Sequence, residues 1–181
     1  GQAQSLTNIG GVYHQKGTPK DLTLALEYYG KSLDIWRSED DLIREAATLG
    51  NIGGVHRLLG NYAKAIRFFE RAMNIALKSG DLAGQARIYN NIGYTQMITG
   101  DMKQAINNFE DSLRLRKQIG DKLGQAHVLL NLGKALFESG QNREVESIVK
   151  RSASIYEVMG APELKEANSF LEQIRLQNIR I

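Results

Sequence analysis

The sequence predicts an all-α chain, a solenoid of stacked antiparallel helix pairs with about four repeats and a further C-terminal helix. Three observations carry this. The tripeptide Asn-Ile/Leu-Gly recurs at residues 8–10, 51–53, 91–93 and 131–133, its asparagines 43, 40 and 40 residues apart. A fixed period of that length marks a repeat architecture, in which one supersecondary unit recurs. Between the tripeptides the apolar residues fall at helical spacing, and glycine followed by a polar residue punctuates the segments.

The first repeat, residues 1–40, opens on Gly1-Gln2-Ala3, a triplet that returns at Gly84-Gln85-Ala86 and Gly124-Gln125-Ala126, seven residues before the repeated asparagine. The chain is therefore expected to begin inside a helix, with more of the natural protein before it. Gly17 to Ala25 is three residues longer than Gly60 to Ala65, so Thr18-Pro19-Lys20 is expected to be a turn insertion. The second repeat, residues 41–80, carries Gly53, Ala65, Phe69 and Ala72, and the third, residues 81–120, repeats them as Gly93, Ala105, Phe109 and Ser112. In the third repeat the first helix is expected from Leu82 to Thr99, closed by Gly100. The second starts at Asp101, whose carboxylate can cap free amides, and runs to Gly120. A glycine in mid-helix costs about 1 kcal/mol relative to alanine, which implies that the paired helix packs closely there. The fourth repeat, residues 121–160, departs at Val145 and Val149, which replace the small and aromatic positions. Residues 161–179 follow as a capping helix or a truncated fifth repeat; Pro162 suits a first turn, while Leu171 and Gln173 stand where asparagine and glycine are expected. Neither helix of a pair can bury its stripe alone, so neighbouring repeats must stack.

The positions Gly53, Ala65, Phe69 and Ala72, with their counterparts at 93, 105, 109 and 112, resemble the tetratricopeptide repeat, helix A followed by helix B. The 40-residue spacing is similar to the longer variety found in G-protein signalling modulators, kinesin light chains and many bacterial signalling proteins. The resemblance covers nearly the whole chain and implies a right-handed α-solenoid that acts as a protein-interaction scaffold. Related proteins use rows of asparagines to clamp a peptide backbone in the concave groove.

That makes Asn8, Asn51, Asn91 and Asn131 the leading site residues. Stacked helices stand about 8–10 Å apart, and an extended peptide advances about 3.3 Å per residue, so successive amides would meet its backbone at roughly every third residue. Each amide can donate to a carbonyl and accept from an N–H. The other reading is a helix-to-helix hydrogen bond within the scaffold. On the same stripe, glycines at 11 and 54 are expected to leave the first half open. Arg57 lies one turn further along it, and Arg87, Tyr94, His127 and Lys134 make the second half basic and aromatic, suited to an acidic or C-terminal segment of a protein or peptide partner. The two-carboxylate clamp of chaperone adaptors is not clearly present, so chaperone-tail binding is not expected.

Composition excludes several other classes. A net charge of +3, with basic and acidic residues interspersed, gives no reason to expect nucleic-acid or membrane binding. The apolar runs are too short to span a bilayer, and a cytoplasmic location is expected. With no cysteine there is no thiolate site, and the three histidines lack metal-ligand spacing. His14 and His56 are expected at the surface, and Glu39, Asp40 and Asp41 in an inter-repeat turn. Neither a catalytic site, a metal nor a cofactor is expected. The alternatives to a peptide-binding scaffold are a self-assembling module, suggested by the aliphatics of "LQNIRI", and a regulatory sensor region of a larger signalling protein.

Overall fold

A computed structural model describes residues 1–178. They form helices and turns in the order α1 (Gln2–Lys16), α2 (Pro19–Ser38), α3 (Leu42–Leu58), α4 (Tyr62–Ser79), α5 (Leu82–Ile98), α6 (Met102–Gln118), α7 (Lys122–Glu138), α8 (Val145–Met159) and α9 (Leu164–Asn178). The fold class is all-α and built of stacked helix pairs, as the sequence predicts. The chain divides into two compact units, Gly1–Thr95 and Gln96 onward. Ile179 and Ile181, invoked above for self-assembly, lie outside the described residues.

One joint recurs at the helix ends. Gly60, Gly80, Gly100, Gly120, Gly140 and Gly160 all take left-handed φ between 63° and 86°, a conformation that costs glycine nothing. The residue after each turns its backbone N–H back into the finished helix, as Asp81 does to the Ala76 carbonyl at 3.0 Å and Asp121 to the Arg116 carbonyl at 3.0 Å. The same aspartates then cap the next helix. Their carboxylates accept from the backbone N–H three residues on, Asp81 from Gly84 and Asp121 from Gly124, both at 2.9 Å, and Asp101 from Gln104 at 3.3 Å. The first such joint has Asp40 in the glycine's place at φ 53°, followed by Asp41, which caps α3 through Arg44 N–H at 2.9 Å.

The Gly-Gln-Ala triplet also has a local cause. A Cβ on Gly84 would meet the cap carboxylate of Asp81, and one on Gly124 would meet the Arg116 guanidinium and the cap carboxylate of Asp121, so a larger residue there would push these side chains aside. The following glutamine reaches back to the end of the preceding helix, Gln85 Nε2 donating to the Ala76 carbonyl at 3.1 Å and Gln125 Nε2 to the Arg116 carbonyl at 3.3 Å. Each thereby adds a second donor to a carbonyl that already accepts from the cap aspartate's backbone N–H.

In the first unit, α1 pairs with α2, α3 with α4, and α2 also packs on α3. The core holds Leu22, Ala25, Tyr29, Leu49, Ile52, Val55, Ala65, Phe69 and Ile88. The mid-helix glycines admit the partner's ring: a Cβ on Gly10 would lie 2.8 Å from Tyr29 Cδ1, and one on Gly53 would lie 2.6 Å from Phe69 Cε1. In the second unit α6, α7, α8 and α9 pack in sequence. Val149 there takes the ring's place, its Cγ2 lying 2.5 Å from a Cβ built on Gly133.

Two expectations need correction. Thr18-Pro19-Lys20 is not a turn insertion: Thr18 is the N-cap, accepting from Asp21 N–H at 3.2 Å, and Pro19 is the first residue of α2. Proline's fixed φ suits that position, so the extra residues lengthen the helix, 20 residues in α2 against 18 in α4, and the turn is not enlarged. At the other end Pro162 belongs to the turn before α9, which starts at Leu164. That turn holds one residue more than its counterpart after Gly120. Ala167, Leu171 and Ile174 therefore carry the buried stripe, while Gln173, placed by spacing at the glycine position, is exposed.

Candidate peptide-binding surface

The first helix of each pair carries the candidate site residues. Helical geometry puts residues three and four apart on one face, so Asn51, Gly54 and Arg57 share a stripe of α3, and Arg87, Asn91 and Tyr94 share one of α5. Asn8 is exposed and accepts from Gln4 Nε2 at 2.9 Å, one turn earlier on α1. Asn51 and Asn91 are half-buried, and among the described residues neither side-chain amide has a protein partner. Asn131 is half-buried on α7 and does have an interaction. Arg87 is exposed and also engaged.

Arg57 and Tyr94 meet, joining α3 to α5: the guanidinium carbon lies 4.7 Å from the ring centroid. Burial lowers the Arg57 pKa, opposed by Tyr94, although a guanidinium keeps its proton throughout the working range. The face expected to be open at Gly54 is covered. His14 of α1 lies across it, with Cε1 3.1 Å from a Cβ built on that glycine, so the small residue seats an imidazole between the two helices. His14 Nδ1 is 3.4 Å from the Tyr29 hydroxyl, and burial, then the Arg57 charge, hold its pKa below the usual imidazole range. Nor is His56 at the surface. Only 5% exposed, it stacks on Phe68 with ring centroids 5.3 Å apart. Helical phase turns it away from the Asn51 stripe and into the scaffold, a fate that its polarity concealed.

In the second unit, His127 and Lys134 of α7 face carboxylates supplied by α9 and the turn before it. His127 Nε2 lies 3.3 Å from Glu163, and Lys134 Nζ lies 2.5 Å from Glu166. A hydrogen bond from its own backbone N–H, then the His127 contact, hold the Glu163 carboxyl below the usual carboxylate range. Sequence reasoning missed these acids, although their spacing in "PELKEA" at the start of the final helical segment was the available signal. Among the described residues there is no group of three or more potential metal-ligating side chains, and no helix is long and apolar enough to cross a membrane.

The fold has known counterparts. An apo RapI crystal structure superposes with a TM-score of 0.77 at 16% identity, covering 93% of this chain and 48% of that one. A Rap protein complexed with Competence and Sporulation Factor gives 0.80 at 19% identity, covering 94% and 47%. Aspartyl phosphate phosphatase F from Bacillus subtilis gives 0.83 at 14%, covering 95% and 45%. At these identities the likeness concerns the fold, and the chain spans about half the length of the solved structures it matches. No curated protein sequence matches the chain. The tetratricopeptide repeat profile matches residues 1–78 and 84–157, most of the chain. With the paired helices, the glycine-to-ring packing and the 40-residue period, that match places the chain in the tetratricopeptide repeat family.

Proposed function

We propose that the chain is a protein-interaction scaffold that holds an extended segment of a partner protein along the first helices of its repeats. The observation that carries this reading is the pair Asn51 and Asn91, half-buried amides at the same repeat position with no protein partner among the described residues. A half-buried amide with open donors and acceptors is suited to a peptide backbone, which offers both complements. The scaffold-internal role remains the better reading of Asn8, already bonded to Gln4. One of the three solved structures described above was determined with a bound factor, which supports a binding surface.

The partner segment is proposed to be acidic on account of Arg57. Arg87, His127 and Lys134 support this less, because Arg87 is already engaged and Glu163 and Glu166 meet the other two. The test is retention of proteins from native lysate on immobilised wild type and on an Asn51→Ala/Asn91→Ala variant, followed by calorimetry on the retained segment. Each lost bond should weaken binding by about 1 kcal/mol or more, with helicity unchanged. Equal affinity for both proteins would move the site off these amides. Retention of the chain alone would favour self-assembly.

A further inference from the structure

Resting on that peptide-binding reading, we propose that Arg57 and His14, backed by Tyr94, form a subsite in the first unit for a side-chain carboxylate of the bound segment, an aspartate or glutamate. Three neighbouring helices build it: α1 supplies His14, α3 supplies Gly54 and Arg57, and α5 supplies Tyr94. The glycine lets the imidazole lie across α3, and the tyrosine face holds the guanidinium in place at 4.7 Å. An arginine stacked on a ring has lost part of its freedom before a ligand arrives, and its planar fork matches a carboxylate with two hydrogen bonds.

The electrostatics around these groups are one-sided. From α2 the group facing His14 is the Tyr29 hydroxyl, from α3 it is Arg57, and Arg57 in turn is faced by Tyr94. Among the described residues no carboxylate acts on either cation-forming group. Elsewhere the chain neutralises comparable cations: Lys134 with Glu166, Arg37 with Glu45 at 2.8 Å, and Arg116 with Asp121. A half-buried arginine beside a histidine, with no acid supplied by the fold, is complementary to an acid supplied by a ligand.

The site's position selects a side chain rather than a chain terminus. Arg57 lies six residues beyond Asn51, about 9 Å further along the helix axis and about 120° around it. A backbone running across the Asn51 and Asn91 amides would therefore pass beside the subsite and reach it with a side chain. Docking a carboxylate there also favours the charged form of His14, so binding should take up protons and strengthen as pH falls from 8 to 6.

The probe is N-acetyl-glutamate-N′-methylamide, and the control is its neutral glutamine isostere. Both are titrated into the wild-type protein and followed by NMR at the Arg57 Nε–H and the His14 ring. The glutamate compound should shift the Arg57 signal and raise the His14 titration midpoint, and the glutamine compound should do neither. Read at the His14 ring, Arg57→Gln should weaken the response about tenfold or abolish it, while Arg57→Lys, which keeps the charge, should retain part of it. Equal responses to the two compounds, or a wild-type response in Arg57→Gln, would overturn the subsite. If Asn51→Ala/Asn91→Ala loses the partner while Arg57 ignores the glutamate probe, the subsite fails and the scaffold reading stands. If Arg57 responds while those variants keep the partner at full affinity, the subsite stands and the asparagine reading fails.

Discussion

Two glycines three residues apart on α3 should respond in opposite directions to the same substitution. At Gly53 an alanine Cβ would stand 2.6 Å from Phe69 Cε1 and 2.8 Å from its Cδ1, and Phe69 is wholly buried. Restoring an ordinary carbon–carbon contact of about 3.5–4.0 Å requires the ring or helix to retreat by roughly 1 Å. Overpacking of this kind costs about 1–3 kcal/mol, and the better helix propensity of alanine returns about 1, so Gly53→Ala should lose up to about 2 kcal/mol. At Gly50 a Cβ meets nothing within 4 Å, so only the propensity gain remains. Gly50→Ala should stabilise by about 0.5–1 kcal/mol, raising Tm by roughly 2–4 °C per kcal/mol for a chain of this length. Urea unfolding followed by far-ultraviolet circular dichroism measures both. Gly53→Ala combined with Phe69→Leu should show a coupling of about 1 kcal/mol or more, because the smaller side chain admits the methyl group. Shifts of the same sign at Gly50 and Gly53, or additive behaviour in the double variant, would refute the idea that close approach to the ring is what requires glycine there.

Three further expectations follow from the joints and the buried histidine. Asp81→Ala removes the carboxylate that accepts from Gly84 N–H and should cost about 1 kcal/mol in chemical denaturation. Asp40→Gly relieves an aspartate held at φ 53° and should raise stability by about 0.5–1 kcal/mol, read as a higher midpoint in the same assay. Burial, then Lys64, lowers the His56 pKa in the folded chain, so the unfolded chain takes up the proton first. Stability should therefore fall as pH drops below about 6.5, and His56→Phe should flatten part of the slope between pH 7 and pH 5; an unchanged slope would assign the loss to other groups.

The repeat and its punctuation were legible because they are periodic. Glycine closes most helices and aspartate opens several, both for local backbone reasons, and the mid-helix glycine announces a close neighbour before that neighbour is known. Register was harder to read. A proline can open a helix or sit in the turn before it, and Pro19 and Pro162 do one each. Burial of polar rings was also hidden: His56 looks like a surface residue by type, and only its phase on α3 and the stack on Phe68 show otherwise. The candidate site was legible as a stripe, but the acids meeting His127 and Lys134 were not. They come from a segment 32 and 36 residues further along, and periodicity within one repeat says nothing about charge in the next.

The glycine–aspartate joint has a consequence for how such a chain can be rearranged. At Asp81, Asp101 and Asp121 one residue turns its N–H toward the helix behind it and its carboxylate toward the helix ahead. An insertion inside the joint would separate those two functions and leave one helix end without a partner. A cut made just after the glycine, with aspartate retained as the first residue of the incoming piece, preserves the donor and the cap together. These junctions are therefore natural crossover points at which whole helices could be exchanged between repeats while both flanking ends stay satisfied.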